Sequence, residues 1–197
     1  MVKRAKYIGK NNELEQEFYF AHPDTKFKLN KIYNFSFSGS PLWDLQSKEV
    51  EMMENSYNVS FRCMYNLPRT THRNLIEAVS GTPHLRSVLF QRFLSFIDQV
   101  RNCPKEVAKN LLSVIEHDVR SVTGSNLRHI MKACGKDSIE DLSTIDAKTL
   151  KYHPLPDDEL WKADMIREII DVRADISVIE GFSQLDLDLM MDYLCTS

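Results

Sequence analysis

The side chains best suited to bind a ligand in this sequence are basic and follow a proline, in the run LPRTTHR at residues 67–73. The proline stops any helix before it, and the apolar spacing after it predicts a new helix, so Arg69, His72 and Arg73 fall at a helix start. Backbone N–H groups and cationic side chains converge on phosphate oxygens at such a start. The run therefore indicates contact with a nucleic-acid backbone. The alternative is structural: the histidine packs locally, and the arginines face solvent or pair with Glu77.

A second set of basic residues lies on the helix predicted from Leu85 to Val100. Arg86 and Arg92 fall off its apolar stripe, where a cation faces either water or phosphate. The remaining basic residues of this region are Arg101, Lys105, Lys109, Arg120, Arg128 and Lys132. Binding through such residues would be independent of base sequence and weakened by salt. Single basic residues on helices mostly serve solubility, and that interpretation stays open for each of them.

No arrangement of residues points to catalysis, to a metal or to a cofactor. The six histidines offer no ligand pair at helical i, i+4 spacing with a third partner, and the four cysteines form no C-x-x-C pair. No glycine-rich phosphate loop and no G-x-S-x-G run is present. The only Asp-Asp pair, Asp157-Asp158, follows a proline, which favours a helix start over a strand turn. We therefore expect a protein without enzyme activity, metal or cofactor.

Charge is divided unevenly along the chain. Residues 1–135 carry 19 Lys+Arg and 13 Asp+Glu, a net charge of +6, whereas residues 136–197 carry 6 and 15, a net charge of −9. We interpret the chain as a basic helical region, 1–135, followed by an acidic helical segment, 136–197. The basic surface would meet an anionic partner, or the acidic segment would fold back over it, or both faces are simply solvated.

Composition and periodicity predict an all-α protein, an irregular multi-helix array or bundle that ends in the acidic helical segment. Glycine is scarce, at 6 of 197 residues, and apolar residues recur at spacings of three and four. The clearest stripe consists of Val50, Met53, Tyr57, Phe61 and Met64. Dispersed cysteines, with no signal peptide and no long apolar run, indicate an intracellular location and no membrane contact.

Local signals set the ends of the first two helices. We expect residues 1–10 to be a frayed end, before a short helix capped by Asn11 or Asn12. The run His-Pro-Asp at 22–24 opens the next helix, because proline is preorganised for a first turn, and Gly39 ends it.

Local signals also place the helices in the middle of the chain. Thr70 or Thr71 caps a helix that Gly81 closes, and Ser125 caps one that Gly135 closes. In the helix that starts near residue 85, the residues expected to face inward are Leu85, Val88, Leu89, Phe93, Phe96, Ile97 and Val100. In the helix that Pro104 opens, they are Val107, Leu111, Val114, Ile115 and Val119.

The acidic segment has its own expected features. Residues 138–141 resemble a capping box, and the two prolines in residues 153–156 predict a linker. A helix capped by Asp157 and reaching Ala174 follows, and residues 183–194 predict a last acidic helix.

Several short sequence motifs occur in an order and at spacings that resemble those of a known family. These motifs are GSPLWDL at residues 39–45, NVSFRCMYNLPRTTHR at 58–73, and PH at 83–84 leading into RFLSF at 92–96. They resemble the region that follows the catalytic palm in reverse transcriptases of non-LTR retrotransposons, the LINE or jockey-like elements. The likeness extends from about Asn11 to about Arg173. Tyr57 departs from the pattern, since the family more often has tryptophan there.

The resemblance implies a helical thumb and connection, which in this family cradles the template–primer duplex. It implies contacts to the backbone of an RNA or DNA duplex, for which the candidates are Arg69, His72, Arg73, Arg86 and Arg92. The family's polymerase holds two metals with three carboxylates, two of them in an aromatic-x-Asp-Asp hairpin. No such hairpin precedes the GSPLWDL motif in this sequence. We therefore expect a truncated, non-catalytic fragment of an RNA-directed DNA polymerase, with the upstream polymerase domains missing.

Two other hypotheses stay open. The helices could form a protein-interaction module, or an inert transposon remnant, with no nucleic-acid role. One contiguous basic stripe would favour nucleic-acid binding, whereas scattered or covered basic residues would favour the other hypotheses. Trp43 poses the same choice on a small scale, between stacking on an unpaired base and packing in the core.

Overall fold

Nine α-helices and one 3₁₀ turn make up most of what the computed structural model describes, which is residues 2–118, 120–136, 160–174 and 184–196. The helices are α1 (Val2–Glu17), α2 (Pro23–Asn34), α3 (Lys48–Met64), α4 (Arg73–Ser80), α5 (Leu85–Arg101), α6 (Glu106–His117), α7 (Val122–Ala133), α8 (Leu160–Ala174) and α9 (Gln184–Thr196). The 3₁₀ turn, Ser40–Leu42, precedes α3. No β-strand occurs among these residues, which confirms the all-α prediction for them.

Three expectations about the acidic segment fall outside the described residues: the capping box at 138–141, the linker at 153–156 and the cap at Asp157. Packing divides the chain into two compact units. Unit 1 takes its described residues from 1–36, 52–82 and 153–197, and unit 2 from 37–51 and 83–152. The boundary at residue 135 separates regions of opposite net charge, whereas the two compact units are defined by packing and have other limits. The boundary therefore stays a prediction about charge.

Aromatic side chains from α2, α3 and the turn between them form the core of unit 1. Ring centroids lie 4.7 Å apart for Tyr57 and Phe61, and 5.3 Å apart both for Phe35 and Tyr57 and for Phe27 and Phe61. The stripe predicted for α3 is confirmed, because each of its five members is buried. Such aromatic pairs add to the stability that burial of their area provides.

The expectation of a frayed N-terminal end is wrong, because α1 covers most of that stretch. Its buried face holds Tyr7, Asn11 and Leu14, spaced by four and three. Asn11 Nδ2 donates to Ser60 Oγ at 2.8 Å, and Asn11 Oδ1 accepts from Asn34 Nδ2 at 3.0 Å. Both asparagines proposed as caps therefore lie inside the helix. A buried asparagine interrupts the apolar pattern, and its hydrogen bonds make that burial tolerable.

α2 begins as predicted and ends early. Pro23 is its first residue, and His22 is the cap, with a ring nitrogen that accepts from the Asp24 N–H at 3.3 Å. The helix stops at Asn34, before the end predicted at Gly39. Phe35 and Phe37, two residues apart, are both buried, Phe35 within unit 1 and Phe37 within unit 2. Positions two apart do not share a helix face, so burial of both favours an irregular backbone there.

The GSPLWDL motif is held in place by hydrogen bonds inside unit 2. Gly39 adopts a left-handed φ of 72° and opens the 3₁₀ turn. The fully buried Asn126 of α7 accepts from the Leu45 N–H at 3.0 Å and donates to the Trp43 carbonyl at 2.7 Å. The Trp43 ring meets Phe37 edge-on, with centroids 6.3 Å apart. Trp43 thus packs within the protein, as the core interpretation predicts.

The core of unit 2 is centred on α5. Phe93 is 0% exposed, and Leu85 and Leu89 are fully buried with it. Phe90, which was not expected to face inward, is also buried, whereas Phe96, predicted as buried, is only partly so. The buried face is wider than a single stripe because α5 packs against both the 3₁₀ turn and α6.

α6 packs with a different face than predicted. Val107 is 80% exposed, and Leu111 and Val114 are also exposed, while Leu112 is buried. The sequence has two adjacent apolar rows on this helix, so that periodicity alone cannot select the buried one. Val119 lies outside the described residues.

Predicted helix ends hold better where glycine is involved than where serine is. Gly81 and Gly135 have φ values of 60° and 62°, as expected for left-handed stops after α4 and α7. The cap of α7 is Ser121, whose hydroxyl accepts from the Gly124 N–H at 3.0 Å. Ser125, predicted as the cap, lies inside the helix.

The two C-terminal helices are integral parts of unit 1. α8 packs against α4, and α9 packs against α8. α8 buries Ile166, Ile169 and Ile170, and α9 buries Met191 and Leu194. In the part of the chain that the structure describes, no helix has the length and apolar character required to cross a membrane.

Candidate nucleic-acid interface

The loop that leads into α4 is fixed by backbone bonds and by one arginine. Thr71 donates to the Pro68 carbonyl from its N–H at 3.1 Å and from its hydroxyl at 2.8 Å. Arg62 of α3 donates to the Thr71 carbonyl from Nε at 3.2 Å and from Nη2 at 2.6 Å. Thr71 is fully buried, and these bonds satisfy polar groups that burial removes from water. These hydrogen bonds therefore fix the backbone of the loop that carries Arg69 and His72.

The start of α4 is open to solvent. His72 is the N-cap residue, and its side chain makes no capping hydrogen bond. The predicted threonine cap is wrong because the Thr71 hydroxyl turns to a carbonyl of its own loop. Arg69, His72 and Arg73 are all exposed. The first N–H groups of a helix have no partner within it and carry part of the helix dipole, so this surface suits a phosphate oxygen.

Arg73 is also engaged inside the protein. Its Nη1 lies 2.6 Å from Oε1 of Glu54, whose side chain is only 4% exposed. The acidic partner is therefore on α3 and is not Glu77 on Arg73's own helix. A buried carboxylate that loses its cation becomes an uncompensated charge. Arg73 consequently holds α4 on α3, and any contact to phosphate is secondary for it.

Arg62 adds to the positive charge near this helix start. Burial lowers the pKa of its guanidinium, and the nearby Arg73 lowers that pKa further. An arginine nevertheless stays charged at neutral pH. Arg62 therefore adds a second cation near Arg73 at the start of α4.

Arg86 belongs to a second basic group, in unit 2. We call Arg86 of α5 together with His129 and Lys132 of α7 the α5–α7 cluster. Burial lowers the pKa of His129, and Arg86 and then Lys132 lower it further. Lys132 is exposed, and the other two side chains are partly buried. Because like charges repel, the cluster disfavours a proton on His129 and would be relieved by an anion.

Arg92 occupies a structural position on the same helix. Its guanidinium carbon lies 5.4 Å from the centroid of the Phe37 ring, and burial lowers its pKa. A cation over an aromatic face is attracted by the ring's electrons. Arg92 therefore supports the loop that precedes the 3₁₀ turn.

The five residues predicted to contact nucleic acid are thus divided between the two units. Arg69, His72 and Arg73 come together at the start of α4 in unit 1. Arg86 and Arg92 lie on α5 in unit 2, where one joins a basic cluster and the other stacks on an aromatic ring.

Sequence reasoning did not bring together several residues around these sites. Lys132 was named only among the remaining basic residues and was not connected with His129. The two lie three residues apart on one helix, which is a detectable signal for a shared face. Glu54 and Arg62 gave no such signal, because their partners lie 19 and 9 residues further along the chain.

Neither metals nor known proteins add to this picture. Among the described residues, no three His, Cys, Asp or Glu side chains are placed to hold a metal ion. No protein-family model, no curated protein and no solved structure matches the chain.

Proposed function

We propose that this chain is equivalent to the thumb and connection of a LINE-type reverse transcriptase and that it binds nucleic-acid backbone without regard to sequence. The sequence motifs at residues 39–45, 58–73 and 83–96 occur in the family's order and support the ancestry. Hydrogen bonds from side chains hold two of these motifs in place. Asn126 binds the backbone of the first, and Arg62 binds the backbone near the end of the second.

The observation that carries the binding proposal is the start of α4. Arg69 and His72 are exposed there, beside helix N–H groups that no capping side chain occupies. A phosphate oxygen accepts hydrogen bonds from such N–H groups and from cationic side chains at the same time. The α5–α7 cluster supplies a second place where an anion would lower the repulsion between cations.

The proposed protein has no polymerase chemistry of its own. Its parent activity would be RNA-directed DNA synthesis, which needs carboxylates that hold two metals. With primed RNA, nucleotides and magnesium or manganese, we expect the purified chain to incorporate no nucleotide. Incorporation that is abolished by changing an acidic residue of this chain would contradict this part of the proposal.

A salt titration tests the binding. The full chain is titrated with a fluorescent DNA duplex at several salt concentrations, and the slope of log K against log salt is compared among variants. Arg69→Ala and Lys132→Ala should each flatten that slope by about 0.9 for each phosphate that the replaced side chain neutralises. The matched control is Lys31→Ala, which removes an equal charge from an exposed position on α2.

The outcome separates site binding from general attraction. If Lys31→Ala flattens the slope as much as Arg69→Ala does, binding is not located at the start of α4. If neither the unchanged chain nor any variant binds the duplex at low salt, the interaction-module hypothesis takes precedence.

One observation favours that second function. The exposed apolar residues of α6, Val107, Leu111 and Val114, are spaced by four and three and so form one row. Contiguous exposed apolar surface marks protein–protein contacts, and an apolar row on a helix is one way in which a helix contacts a partner. A protein-interaction module is therefore the alternative to nucleic-acid binding.

A further inference from the structure

The outer face of α9 is both apolar and acidic. Leu189 and Tyr193, one helical turn apart, are 60% and 68% exposed, and Met190 beside them is 37% exposed. Asp192 is exposed on the same helix, which contains no Lys, Arg or His. The opposite face of α9 already buries Met191 against unit 1. A helix with apolar residues on both faces is suited to contacts on both.

Charge selects among the possible occupants of this face. Nucleic acid and anionic lipid would be repelled by the exposed Asp192 carboxylate, which has no Lys, Arg or His on its own helix to offset it. A second copy of this chain, docked face to face, would bring the acidic helices together, which like-charge repulsion disfavours. A cationic partner is attracted instead, and the unbranched Met190 adapts its shape to an irregular apolar surface.

We propose that the outer face of α9 is a docking surface for a basic amphipathic helix of a partner protein. The exposed residues are spaced as the apolar contacts between two helices require. The apolar row supplies the buried contact, and Asp192 pairs with a lysine or arginine at its edge. This surface is independent of the nucleic-acid function proposed for α4.

Two synthetic peptides test the proposal with the full chain. One is an amphipathic helix of leucine and lysine, and the other has the same leucines with glutamate in place of lysine. We expect the leucine–lysine peptide to bind, more weakly as salt is raised, and the leucine–glutamate peptide not to bind. The double variant Leu189→Gln with Tyr193→Gln should weaken binding of the first peptide by at least about tenfold, because it removes the central apolar side chains.

A matched double variant on α2, Ile32→Gln with Tyr33→Gln, removes another exposed apolar pair and should bind like the unchanged chain. Circular dichroism confirms that both double variants keep their helices. Equal weakening in the two double variants, or binding of the leucine–glutamate peptide, would overturn the proposal. So would a dimer in sedimentation equilibrium that the α9 variant abolishes, because it assigns the face to a second copy.

Discussion

The starts of α4 and α5 look alike in sequence and differ in what surrounds them. Each helix has a histidine as its N-cap, and in neither does that side chain make a capping hydrogen bond. His72, at the start of α4, is exposed, whereas His84, at the start of α5, is buried. Arginine follows in both, as Arg73 beside Glu54 in α4 and as Arg86 within the α5–α7 cluster in α5.

The difference teaches that a basic residue at a helix start gains its role from its neighbours. Arg73 has a buried carboxylate at 2.6 Å and so holds the fold together. Arg69, four residues earlier, lies in the loop that leads into the same helix. Its side chain is exposed, and Arg62 fixes the backbone of that loop by a hydrogen bond. A histidine cap and an arginine in the sequence do not distinguish these cases, but the nearest acidic group does.

The largest expected effect concerns the core position of α5. Phe93→Ala should lower the free energy of unfolding by about 3–5 kcal/mol, because Phe93 is fully buried and its removal leaves a cavity. Phe96→Ala on the same helix, which is only partly buried, should cost clearly less. Urea unfolding followed by circular dichroism measures both. Similar values for the two variants would mean that the core is not centred on Phe93.

Much of this architecture follows from the sequence, for identifiable reasons. The stripe of α3 was predictable because five apolar residues keep a strict helical spacing. Gly81 and Gly135 were predictable as stops because their left-handed φ suits glycine above all other residues. The basic character at the start of α4 was predictable in the same way, from a proline and the residue types after it.

The remaining features depend on tertiary contacts that local patterns do not contain. The first part of α1 was missed because the buried Asn11 interrupts its apolar row, and its burial depends on hydrogen bonds to Asn34 and Ser60 on other helices. The predicted buried face of α6 was wrong because two apolar rows compete on it. The partner of Arg73 was missed because Glu54 is on another helix.

Removal of the ion pair at α4 should have the next largest effect. Arg73→Ala removes the guanidinium that pairs with the buried Glu54 carboxylate, and we expect a decrease in stability of about 1–3 kcal/mol, reduced by the water that reaches the half-exposed arginine site. Arg69→Ala should change stability by less than about 0.5 kcal/mol, as exposed substitutions do. Duplex binding should respond in the opposite order. Equal decreases in stability would remove the distinction between the two arginines.

The acidic C-terminal helices should weaken nucleic-acid binding at α4 through their charge. Deletion of everything after Gly135 is an unsuitable test, because it also removes the buried Ile166 and Met191 from the core of unit 1. The double variant Asp164→Asn with Glu168→Gln keeps that core and neutralises two carboxylates of α8, which packs against α4. We expect duplex binding to become a few-fold tighter at low salt, and the gain to disappear at high salt.

The control for that test is Glu13→Gln with Glu17→Gln, which neutralises two carboxylates of α1. An equal gain in the control would attribute the effect to total charge and not to the packing of α8 on α4.

The smallest effect concerns His129 in the α5–α7 cluster. Its Nε2 atom is buried without a hydrogen-bond partner, and burial, then Arg86 and Lys132, lower its pKa below the ordinary 6.5. As the pH falls through about 6.5, the unfolded chain therefore takes up this proton before the folded chain does, and stability declines. His129→Gln should remove that part of the decline, in urea unfolding at pH values from 8 down to about 5.

Inorganic phosphate should act on the same histidine in the opposite direction. An anion bound at the α5–α7 cluster offsets the charges of Arg86 and Lys132, so it should raise the pKa of His129 towards 6.5. An NMR titration of the His129 ring, with and without phosphate at constant ionic strength, measures the shift. Lys132→Ala should raise the pKa without phosphate and shrink the effect of adding it. A pKa that phosphate leaves unchanged would mean that the α5–α7 cluster is a solvated basic surface, and the start of α4 would then be the proposed backbone contact that remains.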